Sequence, residues 1–302
     1  MNDIREANLT EIFKIIWDGK RLIIYIGVIF SIFAVIFSLF LPNIYRAESI
    51  LVPAIDSASE KSSIGNVSGL ASLAGINIGD VDGPSKSDQA MEKILSLSFF
   101  SQHILPHIYL PNLMAYDYWD EKNNGNFYKK DEYDVENEEW IREVSSPFQR
   151  IPSPQDAHIQ FTKLINISQD DETGFILLSV EHESPSIAFV WSNLIFNEVN
   201  KFFRMRDKLE AEESISYLNQ QISETNFAEV KQALSELIQT ELQKLTLIQS
   251  NEDYVFKYID PPAIEEFKSK PSRALICIFI GILGGLIGIT IVLLRHFNFK
   301  KY

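Results

Sequence analysis

Side chains that commonly carry chemistry are few and scattered in this sequence. The histidines stand at positions 103, 107, 158, 182 and 296. His103 and His107 are four residues apart and could share a helix face. No acid lies between them as in the zinc pattern H-E-x-x-H, so we expect no metal site there. Cys277 is the only cysteine, which excludes an intramolecular disulfide and a metal site built on a cysteine pair.

Two further stretches have compositions that occur at binding sites. Residues 57–88 are rich in Gly, Ser, Asn and Asp, but no G-K-[ST] follows and no strand feeds the segment, so it is interpreted as a loop and not as a phosphate loop. Residues 112–150 combine acids with aromatic side chains, a mixture that can bind sugars or calcium but equally covers an irregular surface insertion. We favour the insertion. The aromatic residues there are Tyr116, Tyr118, Trp119, Tyr128, Tyr133 and Trp140.

The sequence contains no nucleophile elbow, no Walker motif and no metal-ligand spacing. We therefore expect a protein that is not an enzyme, with no catalytic residue, no cofactor and no metal.

Two long uncharged segments stand near the ends of the chain. Ala274–Leu294 runs for 21 residues without a charge and is stopped by Arg295. Leu22–Leu41 is also uncharged, and fifteen of its twenty residues are Leu, Ile, Val or Phe. An α-helix rises about 1.5 Å per residue, so ~20 apolar residues cross a hydrocarbon core about 30 Å thick. Both segments are predicted transmembrane helices, and the first lacks the small-x-small exit of a cleaved signal peptide.

The second apolar segment carries four glycines in two overlapping G-x-x-x-G pairs. Gly281 pairs with Gly285, and Gly284 pairs with Gly288. Small residues let helix backbones approach closely in lipid, where the hydrophobic effect does not drive helices together. The pairs predict a contact face between helices, within one protomer or between protomers. Glycine is common in membrane helices generally, so the spacing alone does not decide the question.

Charge is distributed unevenly along the 302 residues, which carry a formal net charge of −14. Residues 1–21 balance four bases against four acids, and residues 271–302 hold four bases and no acid. Residues 22–270 therefore carry −18. This acidity argues against nucleic acid as a partner and is typical of a large domain kept soluble by its charge.

Cations at the membrane boundaries predict the topology. Lys20 and Arg21 precede the first span and Arg295 follows the second, and such cations are retained in the cytoplasm. We therefore predict an inner-membrane protein that crosses twice, with cytoplasmic segments at 1–21 and 295–302 and a periplasmic domain at 42–273. Three cations on the periplasmic side weaken the contrast: Lys268, Lys270 and Arg273.

The periplasmic segment is predicted to have an α+β fold. Alternating apolar residues predict strands at 45–52, 163–168, 175–183 and 254–259. The second and third of these form a β-hairpin pattern with Gly174 in the turn. We expect one small mixed sheet close to the membrane, within a base formed by residues 43–183 and 252–270.

Long helices are predicted over residues 185–250. Neither Pro nor Gly occurs between Pro185 and Pro261, and apolar residues keep helical spacing through most of this stretch. A break near Thr225-Asn226 would fold the helices into a hairpin that projects away from the sheet. Shorter helices are predicted over 88–109, broken by Pro106, and from Ser153-Pro154 to Phe161.

This layout resembles the Wzz, or chain length determinant, family of polysaccharide co-polymerases. Three motifs carry the resemblance: Tyr45-Arg46-Ala47 after the first span, Val180–Pro185 (VEHESP) before the long helices, and the Pro-rich return from Tyr254 to Arg273 ahead of the Gly-rich span. The membrane-proximal part of that return is marked by Asp260, Pro261, Pro262, Pro271 and Arg273.

The resemblance implies a ring-forming homo-oligomer in the bilayer. Such proteins set the modal length of a surface glycan, usually O antigen, by acting with a separate membrane polymerase, and the nascent glycan is a further expected partner. An alternative is a component of a capsule or exopolysaccharide export complex. A sensor is disfavoured because no transmitter domain follows the second span.

Overall fold

The computed structural model describes residues 9–54 and 84–299. The loop predicted at 57–88 lies almost entirely outside these residues. The chain divides into two compact units. The membrane-helix unit comprises Met1–Ile44 and Phe267–Tyr302, and the sheet unit comprises Tyr45–Glu266.

The elements follow one another in a mixed order. The helices are α1 (Leu9–Asp18), α2 (Lys20–Phe40), α3 (Lys86–Ile94), α4 (Leu110–Met114), α5 (Pro154–Leu164), α6 (Pro185–Glu224), α7 (Ala228–Ser250) and α8 (Arg273–Phe299). The strands are β1 (Tyr45–Pro53), β2 (Tyr116–Asp120), β3 (Gly125–Tyr128), β4 (Tyr133–Asp134), β5 (Glu139–Trp140), β6 (Ile165–Gln169), β7 (Ile176–His182) and β8 (Phe256–Asp260). The predicted α+β class is confirmed.

In the membrane-helix unit, two of the described helices are long and apolar enough to cross a membrane. They span Lys20–Phe40 and Arg273–His296. Each begins slightly before the uncharged segment seen in the sequence, because Lys and Arg are good helix formers whose charged ends reach back to water. The flanking cations are therefore part of the helices and not of the loops.

The main sheet of the sheet unit has the strand order β6-β7-β1-β8, and each of its described pairs is antiparallel. The expectation of a mixed sheet is therefore wrong. A hairpin joins β6 to β7, which forces that pair to be antiparallel. The strands β7 and β8 do run in the same direction, but β1 lies between them and opposes both. The tight turn before β7 uses Gly174 at φ +72°, a conformation that favours glycine.

The long helices form the predicted hairpin. Pro185 starts α6 at its first helical position, where its missing N–H is not needed. The break at 225–227 separates α6 from α7, as the sequence indicates. Only the first part of α6 is buried, up to Ala211, and it packs on the sheet through residues such as Trp191 and Ile195.

The helix predicted over 88–109 ends earlier than expected. Ser85 and Asp88 form a reciprocal capping box at the start of α3, which stops at Ile94. Ser96 then caps a new start by accepting a hydrogen bond from the Phe99 N–H. Short helical turns continue over 97–107. The serine cap at position 96 competes with the continuous helix and explains the break before Pro106.

Candidate functional site

Three of the four predicted glycines lie against the neighbouring membrane helix. A Cβ built on Gly284 would stand 2.6 Å from Phe30 Cβ, and one on Gly288 would stand 3.0 Å from Ile23 Cα. At Gly281 the nearest atom would be Ser31 Oγ at 3.4 Å. These glycines let α8 approach α2 more closely than any larger residue allows.

Gly285 faces elsewhere. A Cβ built there meets no atom of the described residues within 4 Å. On α2 the small residues Ala34 and Ser38 are buried. The geometry therefore assigns the Gly284/Gly288 pair to contact within the protomer and leaves the Gly285 side of α8 open.

The ends of the two apolar helices are joined by a short backbone clasp. Ile44 N–H donates to the Lys270 carbonyl at 2.9 Å, and Ser269 N–H donates to the Ile44 carbonyl at 2.8 Å. Asn43 Oδ1 accepts hydrogen bonds from Lys268 Nζ at 3.2 Å and from Arg273 Nη2 at 3.1 Å. Pro271 lies between these cations and is partly buried. The clasp fixes the position at which the chain passes into α8.

The remaining residues of the Pro-rich motif belong to the sheet unit. Asp260 ends β8 opposite Ile50 of β1 and is exposed. Pro261 is exposed and Pro262 is buried. Because β8 is antiparallel to its neighbour β1, the chain enters and leaves this unit from the same side of the sheet.

The sheet joins two of the motifs that the sequence pointed to. Arg46 of β1 stands opposite Glu181 of β7 in the ladder. The next residue in VEHESP, His182, is buried, accepts a hydrogen bond from Ser184 N–H at Nδ1 and donates from Nε2 to the Asn112 carbonyl. Burial lowers the pKa of His182 to about 4, so the imidazole is neutral near pH 7.

The pKa of the neighbouring Glu183 is shifted in the opposite direction. Burial raises the pKa of its carboxyl to about 7, more than the nearby charge of Lys129 lowers it. Its Oε2 atom is buried and has no hydrogen-bond partner among the described residues. His182 and Glu183, which stand just before α6, therefore have pKa values shifted in opposite directions.

The sequence did not reveal a group of buried polar side chains, here called the lock, that holds the segment leading from α7 into β8. Asn200 of α6 accepts hydrogen bonds at Oδ1 from three successive backbone N–H groups, those of Tyr254, Val255 and Phe256, at 2.7–3.2 Å. Its Nδ2 donates to the Phe256 carbonyl at 3.0 Å. A single side chain therefore satisfies the backbone that leads into β8. In the sequence, the only sign of these contacts is that an asparagine stands on the apolar face of a long helix.

Two turns of α6 further on, Asp207 completes this lock. It accepts from Tyr254 Oη at 2.8 Å and pairs with Lys86 at 3.0 Å. Burial acts to raise the pKa of Asp207, but the Tyr254 hydrogen bond and the Lys86 charge together hold it below its usual value. Burial and the same hydrogen bond raise the pKa of Tyr254 to about 12.

Of the two histidines considered for metal binding, His103 makes other contacts and His107 is exposed. His103 stacks on Phe99, packs edge-on against Phe202 and stands 3.6 Å from Glu198. Within the described residues, no group of three or more His, Cys, Asp and Glu side chains is arranged to hold a metal ion.

The acidic, aromatic stretch contains two small hairpins, β2–β3 and β4–β5. Several of its rings contact one another, as where Tyr133 lies 6.3 Å from Tyr128 and 5.0 Å from Trp140 between ring centroids. Tyr118 and Phe127 stack at 4.6 Å on the outer side. These contacts account for the aromatic residues as the internal packing of an insertion.

Taken together, the described elements include two helices long and apolar enough to span a membrane, one before and one after an α+β unit in the sequence, and this unit contains a long helical hairpin. The family model for the chain length determinant protein, Wzz, matches residues 5–99. The resemblance stated from the sequence is therefore confirmed over this part of the chain, which includes α1, α2, β1 and α3.

The solved structures that the chain resembles include two polysaccharide co-polymerases. A full-length bacterial polysaccharide co-polymerase is 15% identical, with 98% of this chain and 99% of that chain covered and a TM-score of 0.40. A fragment of WzzB, a polysaccharide co-polymerase from Salmonella Typhimurium, is 15% identical, with 76% of this chain and 100% of that chain covered and a TM-score of 0.29. No curated protein sequence matches the chain.

Proposed function

We propose that this protein regulates the modal chain length of a surface polysaccharide, most specifically lipopolysaccharide O antigen, without catalysing a reaction. The observation that carries the proposal is the match of residues 5–99 to the chain length determinant family. The two apolar helices at the ends of the chain support it, because a regulator of a membrane polymerase must be held in the same bilayer.

The proposed location is the inner membrane, with both termini in the cytoplasm and residues 42–273 in the periplasm. The chain enters and leaves the sheet unit on neighbouring strands, which suits a domain held by two spans on one side of a membrane. An impermeant maleimide tests this in a Cys277→Ser background. Lys257→Cys on exposed β8 should be labelled in cells with a permeabilised outer membrane, and Asp18→Cys only after lysis. The reverse pattern would overturn the topology.

The proposed partners are further copies of the chain in a ring, a separate membrane polymerase, the nascent glycan and the surrounding lipid. The open Gly285 side of α8 supports contact between copies, because a small residue that meets no described atom within 4 Å permits close approach of another helix. The exposed apolar side chains of the hairpin, among them Tyr217, Phe227 and Leu242, provide further surface for such contact.

The test is a deletion strain and its complemented counterpart, with surface glycan separated on a silver-stained gel. The proposal predicts that glycan is still made but loses its modal band cluster and that the plasmid copy restores the cluster. Complete loss of surface polymer, with polymer held inside the cell, would instead support the alternative role in export. An unchanged ladder would contradict both.

A further inference from the structure

A pair of cationic side chains converges on one neutral acceptor at the clasp between the membrane helices. Lys268 Nζ and Arg273 Nη2 both donate to Asn43 Oδ1, at 3.2 and 3.1 Å. The backbone bonds between Ile44 and residues 269–270 hold both segments in place. The two positive charges are thus kept together by main-chain geometry and not by an opposite charge.

This charge is not neutralised within the described part of the chain. Neither Lys268 nor Arg273 forms an ion pair with any described carboxylate, although residues 22–270 carry a net charge of −18. The Arg273 Nε atom is buried and has no hydrogen-bond partner among the described residues. A buried donor without an acceptor is destabilising, and more so when the donor is charged. A bound anion would supply an acceptor for this donor and balance the two charges.

The surroundings indicate that this anion comes from the bilayer. Phe267, beside Lys268, is 81% exposed, and Leu275 in the first turn of α8 is 53% exposed. Exposed apolar side chains next to cations are typical of a membrane interface, where the apolar side chains contact lipid tails and the cations contact lipid headgroups. The positive-inside rule disfavours cations on the translocated side of a membrane. The presence of Lys268 and Arg273 on that side therefore suggests that they have a function.

We propose that Asn43, Lys268 and Arg273 form a binding site for a phosphate group carried by a membrane lipid. The guanidinium of Arg273 has the planar fork that matches phosphate oxygens, and Lys268 adds a second charge. The inference rests on the topology proposed above, which puts the clasp at the periplasmic face. Two sources share this chemistry: the headgroup of an anionic phospholipid and the diphosphate of a long-chain isoprenoid lipid.

Binding is tested on the purified full-length protein in neutral detergent. The probes are dihexanoyl phosphatidylglycerol, farnesyl diphosphate and inorganic diphosphate, measured by calorimetry. Lys268→Gln and Arg273→Gln should each weaken lipid-probe binding about tenfold or more. Lys257→Gln, the same change on exposed β8, is the matched control and should have no effect. Arg273→Lys keeps the charge but loses the fork and should weaken binding less than Arg273→Gln.

Each outcome decides one part of the proposal. Tighter binding of the isoprenoid probe identifies the diphosphate lipid as the source, and tighter binding of phosphatidylglycerol identifies the headgroup. Wild-type binding by Lys268→Gln and Arg273→Gln, or equal loss in Lys257→Gln, would overturn the site, and equal affinity for inorganic diphosphate would overturn the lipid assignment. Should Arg273→Gln fail to fold, the exposed Lys268→Gln variant gives the answer alone.

This experiment is independent of glycan length. Lost binding in the variants together with an unchanged ladder in the deletion strain would retain the site and overturn the proposed function. Maleimide labelling that places the clasp in the cytoplasm, with binding intact, would overturn the topology and retain the phosphate site.

Discussion

Arg46 and Glu181 face each other across the β1–β7 ladder, and Arg46 donates from Nε and Nη2 to the same Glu181 carboxylate oxygen at 3.0 and 2.8 Å. One residue follows the first apolar helix and the other precedes the long helices. The pair therefore ties together two segments separated by 135 positions in sequence. It sits on a partly exposed face of the sheet, where the Arg46 side chain is 36% exposed.

Arg46→Met is expected to lower the free energy of unfolding by about 1 kcal/mol, because a cross-strand ion pair near solvent contributes no more than that. Thermal melting of the detergent-solubilised protein measures the change. Arg150→Met, at an exposed loop position, is the control and should melt like the wild type. The double variant Arg46→Met, Glu181→Gln should lose less stability than the two single losses added together, and strict additivity would show that the two residues do not interact.

The glycine face of α8 gives a matched pair of variants. Gly284→Val forces its Cβ into the space of Phe30, so α2 and α8 must separate, at a loss of about 1–3 kcal/mol. A Cβ added at Gly285 meets no described atom within 4 Å, so Gly285→Val should leave monomer stability unchanged. The melting temperature of each variant in detergent measures this. Equal effects of the two changes would mean that the contact between α2 and α8 is not the one described.

The same two variants separate packing within a protomer from packing between protomers. If Gly285 lies at a contact between copies, Gly285→Val lowers the mass of the oligomer measured by light scattering while its melting temperature is retained. An oligomer of unchanged mass would assign the Gly285 side of α8 to lipid.

We expect the lock around Asn200 to contribute strongly to the free energy of unfolding, because it holds the backbone that leads into β8. Asn200→Ala leaves three buried backbone N–H groups without an acceptor, each of which destabilises by about 1–3 kcal/mol. We expect a total loss of at least about 3 kcal/mol. Asn193→Ala, two turns earlier on the same helix and partly buried, removes only one bond to the backbone and should lose about 1 kcal/mol. Chemical denaturation of both variants checks the ranking, and similar losses would contradict it.

Neighbouring His182 and Glu183 predict a pH dependence that one substitution reveals. The pKa of His182 is lowered to about 4 from 6.5, so the unfolded chain takes up its proton first and stability falls as pH drops below 6.5. From pH 7 to pH 5 this effect amounts to about 2 kcal/mol. The pKa of Glu183 is raised to about 7, so its contribution is present at low pH and lost as pH rises through 4.5 to 7.

The two contributions oppose each other in the wild type, although Glu183 is partly exposed and solvent reduces its share. Glu183→Gln removes one of them. When the pH is lowered from 7 to 5, we expect the melting temperature of this variant to fall by several degrees more than that of the wild type. Identical pH profiles for the two proteins would contradict the opposed shifts. Glu172→Gln, an exposed acid in the turn before β7, is the control and should follow the wild type.

Local signals explain what the sequence predicted well. The apolar spans, the Gly174 hairpin and the break between α6 and α7 depend on residues close together in the chain, so composition and periodicity reveal them. The antiparallel insertion of β1 between β7 and β8 depends on pairing over more than a hundred residues, which periodicity does not encode. The failure of the 88–109 helix has a local cause, the Ser96 cap, that was overlooked.

The candidate site divides in the same way. The sequence pointed to the four glycines, but which of the two G-x-x-x-G faces meets α2 depends on the rotation of α8 about its own axis, and that rotation is set by tertiary contacts. The convergence of Lys268 and Arg273 on Asn43 brings together residues 225 and 230 positions apart. Nothing in their local sequence indicates the shared partner.

The central claim is that this chain, and not the polymerase, sets glycan length. The most direct measurement replaces it, in its own cells and with the polymerase unchanged, by a chain length determinant that gives a different modal length, and reads the surface glycan on a silver-stained gel. The account predicts that the mode moves to the length typical of the introduced protein and returns when this chain is restored. A mode that stays in place after the exchange, at equal expression of both proteins, would contradict it.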